Sequence, residues 1–275
     1  MRLILAVTWN PRGEMARLQR LYPRLKAACD GLVVSLPPHV SAEDLKALRA
    51  FPQVQAVVNQ DWSGGRYAAV RTAWEAGADV IYYADLDRLL RWVETRPDEW
   101  EGTVAAARRS DCLIIGRTAR AYGTHPQALL RTEAISNAVC AFLLGQAMDL
   151  SAGAKAFSRR AAQVLLVNCA PGQALGVDAE WPVILRRAGF AIDYLTVDGL
   201  DWESADRYRD QAADAATQRR AAEAYDQDPA NWAGRVQVAM EIVLAGLKAA
   251  RRPLTLPDGD GPPMASVKNL TEGRH

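Results

Sequence analysis

The sequence predicts an α/β fold: a mostly parallel sheet flanked by helices. Short apolar runs at Leu3–Val7, Gly31–Leu36, Val54–Val58, Asp79–Ala84 and Asp111–Gly116 each stop at polar residues or prolines. Uninterrupted apolar runs of this length mark strands buried on both faces. Segments with apolar residues at helical spacing lie between them, and the alternation of the two is regular, as right-handed crossovers in a parallel sheet require.

The first strand ends at Thr8-Trp9-Asn10-Pro11. Glu14 to Cys29 follows with Leu18, Leu21, Leu25 and Ala28 near helical spacing. The second strand is stopped by Pro37-Pro38, and Ser41-Ala42-Glu43-Asp44 opens a helix with Ser41 as N-cap. The loop Asn59 to Gly65 leads from the third strand into a helix from about Arg66 to Ala76. The fourth strand runs directly into Asp85-Leu86-Asp87. Beyond Gly116 the pattern changes. His125 to Met148 carries an apolar stripe of Ile135, Ala138, Val139, Phe142 and Leu143. Asp149 to Leu166 reads as a loop and then a helix. A helix over Ala179 to Ala188 ends at Gly189, and Ala191 to Val197 is a late strand. Two long helices follow, about Ser204 to Tyr225 and Pro229 to Ala250, the second entered through Asp228-Pro229.

Composition narrows the function classes. The chain has 275 residues, with 33 Lys and Arg against 32 Asp and Glu. This balance gives no global reason to bind nucleic acid or an anionic membrane. Cys29, Cys112, Cys140 and Cys169 are far apart, and with three histidines they suggest neither a zinc site nor a disulfide framework. Reduced thiols fit a cytoplasmic protein. The opening apolar run stops too soon for a signal peptide, and the uncharged stretch from Ala134 to Met148 is shorter than a membrane span. The helix after Pro229 places Trp232, Val236, Met240, Val243 and Leu247 on one stripe. That stripe suits packing on the domain, a homo-oligomer through the C-terminal helices, or peripheral contact with a membrane.

The acidic pair is the most informative local feature. Carboxylates two residues apart at the end of a strand face the same space and repel unless a cation lies between them. Hard divalent ions such as Mg2+ or Mn2+ bridge such carboxylates to phosphates. Ligands of open α/β sheets sit at the carboxyl ends of the strands. Trp62-Ser63-Gly64-Gly65-Arg66 opens the helix before the pair, where free amides can approach a phosphate or sugar. No GxGxxG and no GxxxxGK[ST] occurs anywhere in the chain. Trp9, Trp62, Trp181 and Trp202 fall in or beside the loops of the expected cleft.

These motifs occur in a recognisable order. The Thr8-Trp9-Asn10 turn comes first, then Gly64 to Ala69, Asp85-Leu86-Asp87, Ile114 to Arg117, and the helix carrying Arg131, Ser136 and Asn137. Asp149-Leu150-Ser151-Ala152-Gly153-Ala154-Lys155-Ala156-Phe157-Ser158-Arg159 comes last. The chain thus resembles the GT-A glycosyltransferases of family 2, in particular the polyprenyl-phosphate (dolichyl-phosphate) mannose or glucose synthase branch. The resemblance implies a Rossmann-like GT-A domain over residues 1–203, leaving a helical extension over 204–252 and a disordered tail over 253–275. It implies hexose transfer, with inversion, from a UDP- or GDP-sugar to a polyprenyl phosphate or a small soluble acceptor, with a divalent metal as cofactor. Thr8, Asn10, Gly65, Arg66, Asp85 and Arg159 would meet the nucleotide sugar. Asp85 and Asp87 would hold the metal. Arg117, Arg131 and Ser136 would hold the acceptor, and Asp149 or Asp178 would be the general base.

The chain departs from the family in two ways. The family's metal-binding Gln after the acidic pair is replaced by Arg88-Leu89-Leu90, and the Phe of its Gly-Phe signature is Ala154. Arg88 is therefore expected to touch phosphate directly. One alternative is a catalytically inactive GT-A module that binds a sugar nucleotide. Another is a sugar-nucleotide nucleotidyltransferase, which the single Gly and single Arg in Thr8 to Gly13 disfavour.

Overall fold

The computed structural model describes residues 1–257. From residue 258 onward, the expectation of a disordered tail lies outside the described residues. The strands are β1 (Leu3–Thr8), β2 (Gly31–Leu36), β3 (Val54–Val58), β4 (Val80–Asp85), β5 (Cys112–Arg117), β6 (Ala154–Ser158) and β7 (Ile192–Val197). They form one sheet in the order β3-β2-β1-β4-β6-β5-β7. Only β6 runs antiparallel to its neighbours. The carboxyl ends of the other six strands therefore share one edge, as the regular alternation predicts.

Alternate residues of β1 enter two cores. Leu3, Leu5 and Val7 pack toward α1 (Met15–Ala28), α2 (Ala42–Arg49), α4 (Leu86–Thr95) and α5 (Pro97–Ala107). Ile4 and Ala6 pack toward α3 (Gly65–Glu75), α8 (Arg159–Asn168) and α9 (Val177–Arg187). Each fully buried aliphatic side chain contributes roughly 1.5–3 kcal/mol. At the start of α2, Ser41 Oγ accepts the Asp44 amide at 3.0 Å and donates to the Asp44 carboxylate at 2.7 Å, so the expected cap forms.

Several expected elements are corrected. The stretch read as a loop before Leu166 contains β6, which lies in the middle of the sheet. Its Ala154, Ala156 and Phe157 are buried, and so is Lys155, whose charge hides the strand pattern. The helix expected over Ser204 to Tyr225 is a 3-10 turn at Glu203–Asp206, a loop, and then α10 (Ala215–Asp226). The buried Arg91 guanidinium causes the break: it donates to Asp201 and Asp206, each at 2.6 Å, and to the Ala213 carbonyl at 3.3 Å.

Much of the apolar stripes of α7 (Gln127–Leu144) and α11 (Pro229–Arg251) faces outward, away from the domain. The faces turned to the domain mix small residues (Ser136 and Cys140 on α7, Ala239, Ala245, Gly246 and Ala249 on α11) with Leu129, Leu144 and Ile242. A Cβ on Gly246 would lie 3.1 Å from both Ala179 and Leu143, so this seam requires small side chains. Ile135, Phe142, Val236, Met240 and Leu247 face outward, Phe142 with 89% of its surface exposed. The short α6 (Ala119–Tyr122) completes the described helices. Among the described residues no helix is long and apolar enough to cross a membrane.

Candidate active site

A cleft of about 590 Å3 opens at the carboxyl ends of β1 to β4. It is lined by Thr8, Asn10, Gly65, Arg66, Asp85 and Asp87, as the sequence predicts. Asp85 is the last residue of β4 and Asp87 lies in the first turn of α4, so a strand-to-helix junction positions the acidic pair.

Asp85 is held from all sides. Its Oδ1 accepts from Tyr83 at 2.6 Å, from Thr8 at 3.0 Å and from Arg66 at 3.3 Å, and its Oδ2 accepts from Arg66 at 3.0 Å. Burial pushes this carboxyl up, but Arg66 and Arg88 outweigh it and hold the group below the usual range. Asp87 accepts only the Arg88 amide, at 2.9 Å. Burial, with the nearby charges of Glu203 and Asp85, pushes its pKa from 3.8 to about 7.

This shift has a testable sign. Between pH 3.8 and 7 the folded protein keeps a proton on Asp87 that the unfolded chain has lost. The stability present below that window is lost as pH rises through it. In EDTA, urea unfolding at pH 5 and pH 8 should show a larger loss of stability for the wild type than for Asp87→Asn. Equal losses in the two proteins would show that Asp87 is unperturbed.

Five arginines line the cleft (Arg12, Arg66, Arg88, Arg207 and Arg235) against three carboxylates (Asp85, Asp87 and Glu203). The excess suits an anionic ligand. Ser35, Leu36, Pro37, His39 and Asn59 form one end. There Asn59 Nδ2 donates to Ser35 Oγ at 2.7 Å, and His39 Nε2 lies 3.3 Å from Asn10 Oδ1. Trp202, Ser204, Tyr225 and Arg235 close the other end. Trp9, Trp62 and Trp202 reach the cleft, whereas Trp181 is buried edge-on against Phe157 and Tyr83.

Six predicted site residues lie elsewhere. Asp149 is clamped by Arg117, which donates through Nε at 2.7 Å and Nη2 at 2.8 Å. Burial alone would push this carboxyl up, but the arginine holds it below the usual range, which is wrong for a general base. Arg117 itself is buried between Asp149 and Glu133, so it does not face a phosphate. Asp178 is only 2% exposed and accepts from Lys155 at 2.5 Å and from Arg66 at 2.9 Å. Both cations meet Oδ1, and Asp178 is not among the residues lining the cleft. Ser136 is buried and donates to the Glu133 carbonyl at 3.0 Å. Arg131 lies over the Trp232 ring at 5.7 Å. Arg159 is at the opposite edge of the sheet, because β6 runs antiparallel, and donates to the carbonyls of Trp74 and Ala78.

The sequence reading missed Glu203, Arg207, Tyr225 and Arg235. A signal existed for Glu203: it follows the late strand, and β7 ends on the same edge as β4.

Among the described residues no three His, Cys, Asp or Glu side chains group closely enough to enclose a metal ion alone. The donor set still fits a hard cation that takes further oxygens from a ligand and water. Asp87 is free of side-chain partners, and the buried Glu203 Oε2 accepts no hydrogen bond.

No protein-family model matches the chain, and no curated protein matches it. Solved structures do. Glucosyl-3-phosphoglycerate synthase from Mycobacterium tuberculosis, in complex with Mn2+, UDP-glucose and phosphoglyceric acid, matches with 13% identity and a TM-score of 0.54, over 92% of this chain and 80% of that one. The same enzyme with phosphoglyceric acid matches at 14% and 0.56, over 92% and 81%. A mycobacterial protein matches at 15% and 0.57, over 92% and 76%. At such identities the likeness concerns architecture: the chain has the GT-A glycosyltransferase fold.

Proposed function

We propose that this protein transfers a hexose from a nucleoside diphosphate sugar to a small soluble acceptor bearing a phosphate or carboxylate. The observation that carries this reading is the cleft itself, where Asp87 and Glu203 face five arginines at the carboxyl ends of the parallel strands. Thr8, Asn10 and Gly65, with Ser35 and Asn59, would bind the nucleoside. Arg66 and Arg88 would neutralise the diphosphate, and Arg207 and Arg235 would bind the acceptor anion. Asp87 would hold a divalent metal, Mn2+ or Mg2+, which supplies positive charge where the leaving diphosphate becomes more negative. The neighbouring structures contain Mn2+ with UDP-glucose and phosphoglyceric acid, which supports this choice of ligands.

The test is thermal denaturation with UDP-glucose and GDP-mannose, with and without Mn2+, followed by donor turnover with phosphoglycerate. A rise in melting temperature with one donor, larger with Mn2+, and consumption of that donor are expected. No shift with any sugar nucleotide overturns the reading. A shift without turnover favours an inactive binding module.

One observation favours a second reading, transfer to polyprenyl phosphate. The outward apolar face of α7 and α11 begins beside Arg235, so a lipid chain lying on it would place its phosphate in the cleft. Turnover with polyprenyl phosphate in vesicles but not with phosphoglycerate would select it. Burial of the same face in a dimer, seen by sedimentation, would return the acceptor to the soluble class.

A further inference from the structure

Building on the metal-assisted donor site proposed above, we infer that Glu203, and not Asp85, joins Asp87 as the second protein ligand of the divalent cation.

Asp85 has little left to offer. Both of its oxygens accept from Arg66, and Oδ1 also accepts from Thr8 and Tyr83. Freeing it would mean displacing Arg66, which is also tied to the buried Asp178 at 2.9 Å.

Glu203 is the opposite case. Its side chain is 8% exposed, yet it lines the cleft. Its Oε2 accepts no hydrogen bond. Arg88 Nε stands 3.3 Å away and balances charge only, because Arg88 Nη1 is anchored on the carbonyls of Ser151 and Ala152 at 3.1 and 2.8 Å. The Ser204 hydroxyl reaches Oε1 at a long 3.5 Å. A buried carboxylate oxygen without a donor is costly, and a bound ion is one of the few arrangements that satisfies it.

The carboxylate is also held in place. Arg91 bonds Asp201 and Asp206 on either side of Glu203, and the Trp202 amide donates to Thr124 Oγ1 at 2.9 Å. The turn is therefore fixed before any ligand arrives. Asp87 and Glu203 both line the same cleft. Two carboxylates with diphosphate and water oxygens suit a six-coordinate hard cation, with no third acidic side chain needed.

The test is Mn2+ titration, read as loss of the free-ion EPR signal, with and without UDP. Wild-type protein should take up Mn2+ in the presence of UDP. Glu203→Gln should weaken uptake at least about tenfold, with partial recovery in Glu203→Asp. Asp87→Asn should abolish uptake, and Asp85→Asn should weaken it less than Glu203→Gln does. Melting curves in EDTA check that each variant is folded. Wild-type affinity in Glu203→Gln, or a loss in Asp85→Asn as large as in Glu203→Gln, overturns the assignment. So does a wild type that takes up no Mn2+. The transfer reading fails separately, if UDP-glucose neither raises the melting temperature nor is consumed.

Discussion

Replacing Arg117 by methionine should destabilise the protein by about 3–5 kcal/mol, the usual cost of removing one partner from a buried ionic cluster. The guanidinium is fully enclosed. It donates twice to Asp149, donates to Glu133 at 2.5 Å, and lies over the Tyr122 ring at 4.5 Å. Methionine fills part of the volume but leaves two carboxylates short of their main donor. The backbone amide of position 117 at 3.0 Å and Asn137 at 3.3 Å remain with the Asp149 carboxylate, and Arg235 at 2.6 Å with Glu133. A fall in melting temperature on the order of 10 °C is expected. The double change Arg117→Met/Asp149→Asn should recover part of it, since neutralising the stranded acid removes much of the penalty. If Arg117 instead met an acceptor phosphate, its loss would leave melting unchanged and raise KM alone. That result would restore the role the family resemblance assigns to it.

Gly153→Ala should reduce donor binding by at least about a hundredfold, or some 2.7 kcal/mol. Two effects coincide at this glycine. Its φ of +78° lies in the left-handed region, where a side chain costs roughly 1–2 kcal/mol. Its Cβ would also stand 2.7 Å from Asp85 Oδ2 and 3.3 Å from Arg88 Nη1. The carboxylate must then move, and with it the Arg66 guanidinium. Gly145 supplies the control: its φ is +70°, yet nothing lies within 4 Å of an added Cβ. Gly145→Ala should show the backbone cost without the loss of donor affinity, read by calorimetric titration with UDP-glucose. Equal affinities in the two variants would mean that the region around Gly153 does not shape the site.

Much of the architecture was legible because parallel strands buried on both faces must be continuous apolar runs. Leu3–Val7 and Gly31–Leu36 needed no tertiary information, whereas Val54–Val58 is a partly exposed edge strand. β6 was hidden because its buried face carries Lys155, and only the fold supplies the Asp178 carboxylate that makes the lysine tolerable there. Periodicity marks the more apolar face of a helix, but it does not show that close packing beside α9 requires a residue as small as Gly246. At the site, Thr8, Asn10, Asp85 and Asp87 were legible from their positions at strand ends, and Gly65 and Arg66 from the start of the helix after β3. The residues assigned only through the family signature, Asp149 and Arg159 among them, are engaged elsewhere. Charged groups next to each other in sequence do not disclose which of them pair with one another. Arg117 with Asp149 and Lys155 with Asp178 are pairings that only the folded chain makes visible.

The central position of β6 also governs how the chain can be assembled. Roughly 40 residues separate the end of β5 from the end of β6, so at about 5–20 residues per second a ribosome needs several seconds to supply them. During that time β4 presents one open hydrogen-bonding edge and β5 presents two, since its other neighbour, β7, comes later still. The two strands point the same way, so they can pair directly with each other before β6 exists. The finished sheet requires that β6 insert between them, with Lys155 finding Asp178 from a segment synthesised later still. Completion of the sheet is thus a late, non-local event. A nascent chain halted before Ser158 would leave β4 and β5 without the strand that separates them in the finished sheet.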